Sequence, residues 1–494
     1  MSSSRHYVDS ALQKAHQTYQ SRNPNSAKIH QDASQYLPGG NTRTSLYTQP
    51  FPLIITSARG SKLTSADGHS YTDFLSEYSA GVFGHSNAEI AQAVKDTLQR
   101  GWNYGAENVY EKQLARKIVD RFGPSGVELV RFTNSGTEAN TVAIGAAIAW
   151  TGRKKVLVFS GAYHGSTFEF PMDFCRRWWQ RHGFGSNKDG QQVYEMKTLN
   201  LPHEFVVAPF NNIAKTEHII KEVAAHDNLA AILIEPVQGS GGCRPASVEF
   251  LRFLRDTADR LGALLVVDEV MTSRLSFSGY ISSLGIKADL ITFGKWIGGG
   301  MSFGAFGGRR DIMEMFNPAR NAEEDKLIHP GTYNNNIFTM SAGVVGLDIF
   351  DAEKVRNLNL KGDTIKDGVT RILQDTDIYP RRQDRFLEDV IEFDDFDGDT
   401  HLYKGTNSQS RLAEGEPLPR MLISSSGSLL NVKFTGPNAE IWQGLYFHHM
   451  LERGVYIASR GFTPLNIELT DADVEIYISA ARDFILQHQF ELTR

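Results

Sequence analysis

The chain has 494 residues, of which 41% are hydrophobic and 22% charged, and its formal net charge is −6. This suits a globular chain with one large domain and a smaller one, and the mild negative charge gives no argument for a nucleic-acid partner. Two cysteines, Cys175 and Cys243, do not build a disulfide framework and point to a reducing, cytoplasmic setting. No apolar run approaches the ~20 residues of a membrane span, so no membrane partner is expected.

Residues 7–36 alternate apolar and polar positions at loosely helical spacing, and the first residues lack the apolar core of a secretory leader. Pro38-Gly39-Gly40 then punctuates a loop that ends on Arg43. A loop arginine is most often plain surface charge, although its planar fork also suits a carboxylate. Residues 53–75 alternate around Asp67-Gly68, which predicts a meander with a tight turn. A glycine-rich loop at 78–85 and a short amphipathic helix at 89–100 follow, and Gly101 stops the helix.

A strand at 128–132 leads into Ser135-Gly136-Thr137, which opens an alanine-rich helix over 138–150. A small-residue loop at a helix start presents backbone N–H groups to an anion, though many such turns bind nothing. The strand at 155–160 runs into Tyr163-His164-Gly165, where an aromatic ring can cover a flat ligand or simply pack in the core. The segment 170–205, with Arg176-Arg177-Trp178-Trp179, reads as a surface insertion. Another strand, 230–234, ends at Glu235-Pro236. Helix 247–261 carries Leu251, Leu254, Ala258 and Leu261 on one face, and Gly262 ends it.

Two further apolar runs hold the centre of the chain. Residues 264–267 end on Asp268-Glu269, and residues 290–293 end on Gly294-Lys295. A carboxylate and a lysine at two strand ends suit pyridoxal phosphate (PLP) chemistry. The amine can hold an aldehyde as a Schiff base and move a proton, and the carboxylate can keep the pyridine nitrogen protonated. Each piece alone reads more readily as a solvated loop or as surface charge. The strand–helix alternation over about 105–310 predicts a mainly parallel α/β sheet with helices on both faces. Sites in such sheets gather past the carboxyl ends of the strands. Ser135, Tyr163, Glu235, Asp268 and Lys295 all fall there.

His329-Pro330-Gly331-Thr332 comes next, then a helix at 339–350. Residues 380–420 are charged and turn-rich, without the spacing of a calcium loop, and no metal site is expected. Residues 429–434 and 454–458 read as strands, with Arg460 just beyond and Arg453 ending a helix.

The motifs DEVMT, TFGKWIGGG and GAFGG, with NSGTEAN and YHG, resemble the class III, fold-type I PLP-dependent aminotransferases. Within them the chain is most similar to the β-amino-acid transaminases and glutamate-1-semialdehyde aminomutase, from about residue 38 to 350 and again near 454. The resemblance implies a large domain built on a seven-stranded-type sheet over 101–350. It also implies an N-terminal arm and part of a small α+β domain over 1–100, and the rest of that domain over 351–494. The arm would pack on a partner subunit. Lys295 and Asp268 would be catalytic, and PLP would be held by Ser135, Gly136, Thr137, Tyr163, Glu235 and Val270. His164 is either a further cofactor contact or only a neighbour. Thr332 would reach the phosphate of the other subunit in a homodimer. Arg43 would bind a substrate carboxylate, and Arg460 would be a movable second arginine. Aminomutases read DEVMTGFR where this chain reads DEVMTSRL, and the β-transaminases share both that form and the GGNTR loop. A β-amino acid donor with 2-oxoglutarate or pyruvate as acceptor is therefore expected. An aminomutase, or a transaminase of amines without a carboxylate, stands as the alternative.

Overall fold

The computed structural model describes residues 2–167, 204–224, 228–319, 326–379, 402–405 and 413–493. The insertion expected at 170–205 and most of the acidic stretch at 380–420 lie outside them. Among the described residues, those of Ala88–Arg356 form one compact unit, and those up to Asn87 and from Asn357 onward form a second. The divisions fall at 87/88 and 356/357 rather than at 100 and 350. Helix Ala88–Gln99 belongs to the larger unit because the Thr97 hydroxyl reaches the Ser341 hydroxyl, 3.0 Å away, on helix Ile337–Ile349.

The larger unit is built on a seven-stranded sheet. Its order is Leu129–Thr133, Gly304–Gly308, Leu290–Gly294, Leu264–Asp268, Leu229–Ile234, Lys155–Phe159 and Glu204–Ala208. Gly304–Gly308 runs antiparallel to both neighbours, and the pairs from Leu290–Gly294 to Glu204–Ala208 are parallel. The three strands Leu229–Ile234, Leu264–Asp268 and Leu290–Gly294 are buried at every position, the pattern of a parallel sheet covered on both faces. The terminal strands, Leu129–Thr133 and Glu204–Ala208, are only partly buried.

Register sets the site. Val267 pairs with both Ile234 and Ile291, and Asp268 pairs with Thr292. Glu235, Asp268 and Lys295 therefore leave the sheet at the same edge. Helix Gly136–Thr151 lies against the sheet with Ala139, Ala143, Ala146 and Ala147 fully buried, since only small side chains let helix and sheet approach so closely. Ser247 caps helix Val248–Leu261 by accepting from the Phe250 N–H at 3.1 Å, and Gly262 ends it at φ 61°.

The smaller unit holds a four-stranded sheet, Ile55–Arg59, Lys62–Ser65, Ser70–Asp73 and Val455–Tyr456, and a three-stranded one, Met421–Ser426, Leu429–Phe434 and Phe462–Pro464. The expected meander is present, with its turn at Gly68. Helix Ser2–Arg22 packs on helix Ala439–Glu452 of its own chain, with Tyr7 against Trp442 and His16 against His448. Val8, Ala15 and Tyr19 of that helix are buried at helical spacing. Among the described residues, no helix is long and apolar enough to cross a membrane.

Candidate active site

Asp268 is 4% exposed, and three donors converge on it. Its Oδ2 accepts from Asn140 Nδ2 at 2.7 Å and lies 2.8 Å from His164 Nδ1, while Oδ1 accepts from the Val270 N–H at 3.0 Å. A carboxylate only accepts, so the His164 proton sits on Nδ1. Thr292 donates to Asn140 Oδ1 at 2.7 Å and so aims the amide. Three of about four acceptor positions on the carboxylate are filled, which leaves room for one more N–H. The sequence reading missed Asn140. The available signal was an asparagine inside an otherwise apolar, alanine-rich helix, where a buried amide needs a partner.

Glu235 accepts from the Tyr163 N–H at 2.9 Å and the Gly239 N–H at 3.2 Å. Burial pushes its carboxyl up to about 7, against the pull of His164, while Asp268 adds to the rise and the two N–H groups oppose it. The Tyr163 ring beyond it is 47% exposed, an open aromatic face at a strand end.

Val270 is the wedge between the two halves of the site. A Cβ added to Gly136 would lie 2.8 Å from its Cγ2, and one added to Gly294 would lie 3.0 Å from its Cγ1. The Ser135-Gly136-Thr137 loop and the residue before Lys295 thus close on one side chain. The loop starts a helix of sixteen residues, and the Ser135 hydroxyl accepts from the Glu138 N–H at 3.2 Å. A Cβ on Gly165 would meet Thr137 Oγ1 at 2.5 Å, which brings the Tyr163 loop against the same cup.

Lys295 takes φ 56°, a left-handed conformation rare for a residue with a side chain. Such strain persists only where the surroundings over-determine it. Trp296, fully buried, supplies that anchor. Its Nε1 donates to Ser273 Oγ at 3.0 Å, and the Arg121 guanidinium lies 4.9 Å from its ring. Thr332 is exposed. Its loop is joined to the cup by Asn134 Nδ2, which donates to Asn334 Oδ1 at 3.2 Å.

The smaller unit carries the two arginines. The Arg43 and Arg460 guanidinium groups each lie 5.5 Å from the Tyr78 ring centroid. Arg43 is also ion-paired with Glu77, and the Tyr78 hydroxyl donates to the Ser45 carbonyl. Glu77 and Tyr78 sit in a run of four non-glycine residues, Ser76–Ser79, with φ of 45°, 48°, 52° and 77°. Left-handed backbone costs roughly 1–2 kcal/mol per such residue. The turn is held from below. Asp73 Oδ1 accepts from the Leu75 and Ser76 N–H groups, and Asn466 donates to the Asp73 carbonyl and the Ser76 hydroxyl, both at 3.0 Å. Tyr78 was read only as the start of the glycine-rich loop at 78–85, and Glu77 had no signal in the sequence, because a left-handed run of ordinary residues has no composition of its own.

The family profile described as aminotransferase class-III matches residues 45–381. The chain belongs to the class-III aminotransferases. It is 38% identical over 489 residues to the beta-phenylalanine transaminase of Variovorax paradoxus, spanning 99% of this chain and 98% of that protein. It is 34% identical over 338 residues to the glutamate-1-semialdehyde 2,1-aminomutase of Methanopyrus kandleri, spanning 68% and 74%. Among solved structures, the beta-phenylalanine aminotransferase from Variovorax paradoxus matches with a TM-score of 0.81 at 36% identity, over 99% of each chain.

This aminotransferase is therefore PLP-dependent, and its residues fit the cofactor. The glycines at 136 and 294 let both loops close on Val270, where a methyl would crowd it. The helix start behind Ser135 offers N–H groups to a phosphate. The Asp268 carboxylate keeps an acceptor position for a ring N–H.

Proposed function

We propose that this aminotransferase moves the amino group of a β-amino acid to an α-keto acid, 2-oxoglutarate or pyruvate. PLP, when bound, supplies the aldehyde that takes up the amino group and the ring that accepts electrons from the substrate carbon. The rest falls to the chain. Lys295 carries the proton off the amine-bearing carbon of the substrate and returns it. Asp268, oriented by Asn140 and His164, holds the proton on the ring nitrogen. Val270 and Tyr163 would hold the ring and Glu235 would bind near its hydroxyl. Ser135, Gly136 and Thr137 would bind the phosphate. Thr332 would complete that site in the partner subunit of a homodimer.

Arg43 binds the carboxylate of the β-amino acid, and Arg460 serves the α-carboxylate of the co-substrate. The observation that carries this reading is two guanidinium groups sharing one tyrosine ring, one cation for each carboxylate. The DEVMTSRL and GGNTR forms support it, as does the likeness to a beta-phenylalanine transaminase over almost the whole chain.

The test is turnover of β-phenylalanine by the PLP-loaded protein, with and without 2-oxoglutarate or pyruvate. Continuous product formation only when a keto acid is present supports the proposal. Turnover of glutamate-1-semialdehyde without any keto acid would instead make the chain an aminomutase. Turnover of amines alone would make the arginines irrelevant to its substrate.

A further inference from the structure

Arg43 already has a carboxylate. Its guanidinium is paired with Glu77, which sits beside Tyr78 in the left-handed turn. Both side chains of the pair are open to solvent, Arg43 at 42% and Glu77 at 57%. An exposed pair exchanges partners readily, because water screens it and little stability rests on it. The backbone beneath is the opposite. Asp73, Asn466 and the Gly81 N–H, which donates to the Ser76 carbonyl at 2.9 Å, lock the turn. His85 Nε2 lies 2.8 Å from Asp73 Oδ2 and fixes that carboxylate as well.

The turn therefore delivers a carboxylate to Arg43 at a fixed place while leaving the ion pair itself free to break. Tyr78 adds the second half. Its ring faces both guanidinium groups at 5.5 Å and stacks on Phe462 with centroids 6.2 Å apart, and Arg460 also lies 5.7 Å from Phe462. The ring holds Arg43 whichever carboxylate is bound, because a cation over an aromatic face needs no anion to stay there.

We infer that Glu77 is an internal stand-in for the substrate carboxylate on Arg43, and that Tyr78 is the platform on which the exchange takes place. This rests on the β-amino-acid reading above and adds a specificity device to it. A substrate carboxylate must displace Glu77, which weakens its binding. A substrate without a carboxylate leaves the Glu77 pair intact, so Arg43 is not stranded without a counter-ion and such substrates are tolerated.

The experiment compares KM and kcat/KM for β-phenylalanine and for 1-phenylethylamine, the same skeleton without the carboxylate, in the native protein and in Glu77→Gln. The inference expects KM for β-phenylalanine to fall by about two- to fivefold, the scale of an exposed pair. It expects kcat/KM for 1-phenylethylamine to fall, so the acid-over-amine preference rises on both counts. Tyr78→Leu should raise KM for β-phenylalanine and for 2-oxoglutarate alike, and Tyr78→Phe should restore both. If Glu77→Gln raises KM for β-phenylalanine, Glu77 is a support that orients Arg43 and the inference is overturned. Arg43→Ala separates the two layers. If it raises KM for β-phenylalanine while Glu77→Gln leaves the acid-over-amine preference unchanged, only the stand-in role fails. If Arg43→Ala leaves KM for β-phenylalanine unchanged, the substrate reading itself fails.

Discussion

The corner at Asp268 and the turn at Glu77 each present a carboxylate to a cation or an N–H, and they are built in opposite ways. Asp268 is buried and sits at the end of a strand. It is held by two side chains and a backbone N–H, one of those side chains itself aimed by Thr292. Glu77 is exposed on a strained turn that is held through the backbone under it. The buried corner is suited to chemistry that must not vary from one substrate to the next. The exposed turn is suited to recognition that must change partners within one catalytic cycle. Fixing a charge demands donors on every side and low exposure, and exchanging one demands water and a firm backbone.

Of the two regions, the buried corner carries the larger expected effect. Asp268→Asn leaves the shape but removes the charge, and kcat/KM should fall by ~10²–10³-fold, the scale of breaking a buried charged contact. A loss under tenfold would show that the corner is not where ring protonation is held. Asn140→Ala removes one of the two side-chain donors to Asp268 and orphans the Thr292 hydroxyl. It should lower the unfolding free energy by about 1–3 kcal/mol, read by denaturant melts. Unchanged stability would mean that the amide is not needed to satisfy the carboxylate.

Protonation gives a subtler separation. Burial pushes His448, His449 and His488 of the smaller unit down to about 4, while burial pushes Glu235 of the larger unit up to about 7. Histidines in the unfolded chain take up protons near 6.5, before the folded ones do. Their stability contribution is therefore intact above pH 6.5 and lost as pH falls toward 4. The folded Glu235 takes up its proton before the unfolded one, so its corner gains stability as pH falls from 7 toward 4.5. Amide exchange in helices Ala439–Glu452 and Asp471–Leu492, corrected for intrinsic rate, should quicken on acidification while strand Leu229–Ile234 does not. The reverse order would contradict these burial effects. The smallest effect is Glu77→Gln, which should change unfolding stability by less than about 1 kcal/mol although it alters substrate preference. A larger loss would place Glu77 with the structural carboxylates.

Much of the buried half was legible in the sequence. The all-apolar strands that end on Asp268 and Lys295, the Ser135 cup and the Ser247–Gly262 caps follow from local rules. Strand Gly304–Gly308 was less visible, because glycine has low strand propensity. Its glycines are required by close approach, since a Cβ on Gly304 would lie 2.0 Å from the Ser135 carbonyl oxygen and one on Gly308 2.1 Å from that of Asp289. Helix Val109–Phe122 was overlooked although Asn108 and Glu111 mark its start, with Asn108 accepting from the Tyr110 and Glu111 N–H groups. Of the exposed half, the family resemblance named Arg43 and Arg460 but not what joins them. Arg43, Glu77 and Arg460 are separated by hundreds of residues of chain in part, and the left-handed turn that gathers them around Tyr78 has no local signature.

The most direct test is Lys295→Ala, loaded with PLP and assayed with β-phenylalanine and 2-oxoglutarate, beside the native protein. The account predicts that the native protein shows the visible band of bound PLP and turns over. The variant should keep the fold and bind PLP through the Ser135 cup and Asp268, yet lose ~10²–10⁴-fold or more in kcat, the share carried by a positioned proton carrier. A Lys295→Ala protein that turns over at the native rate would contradict the account.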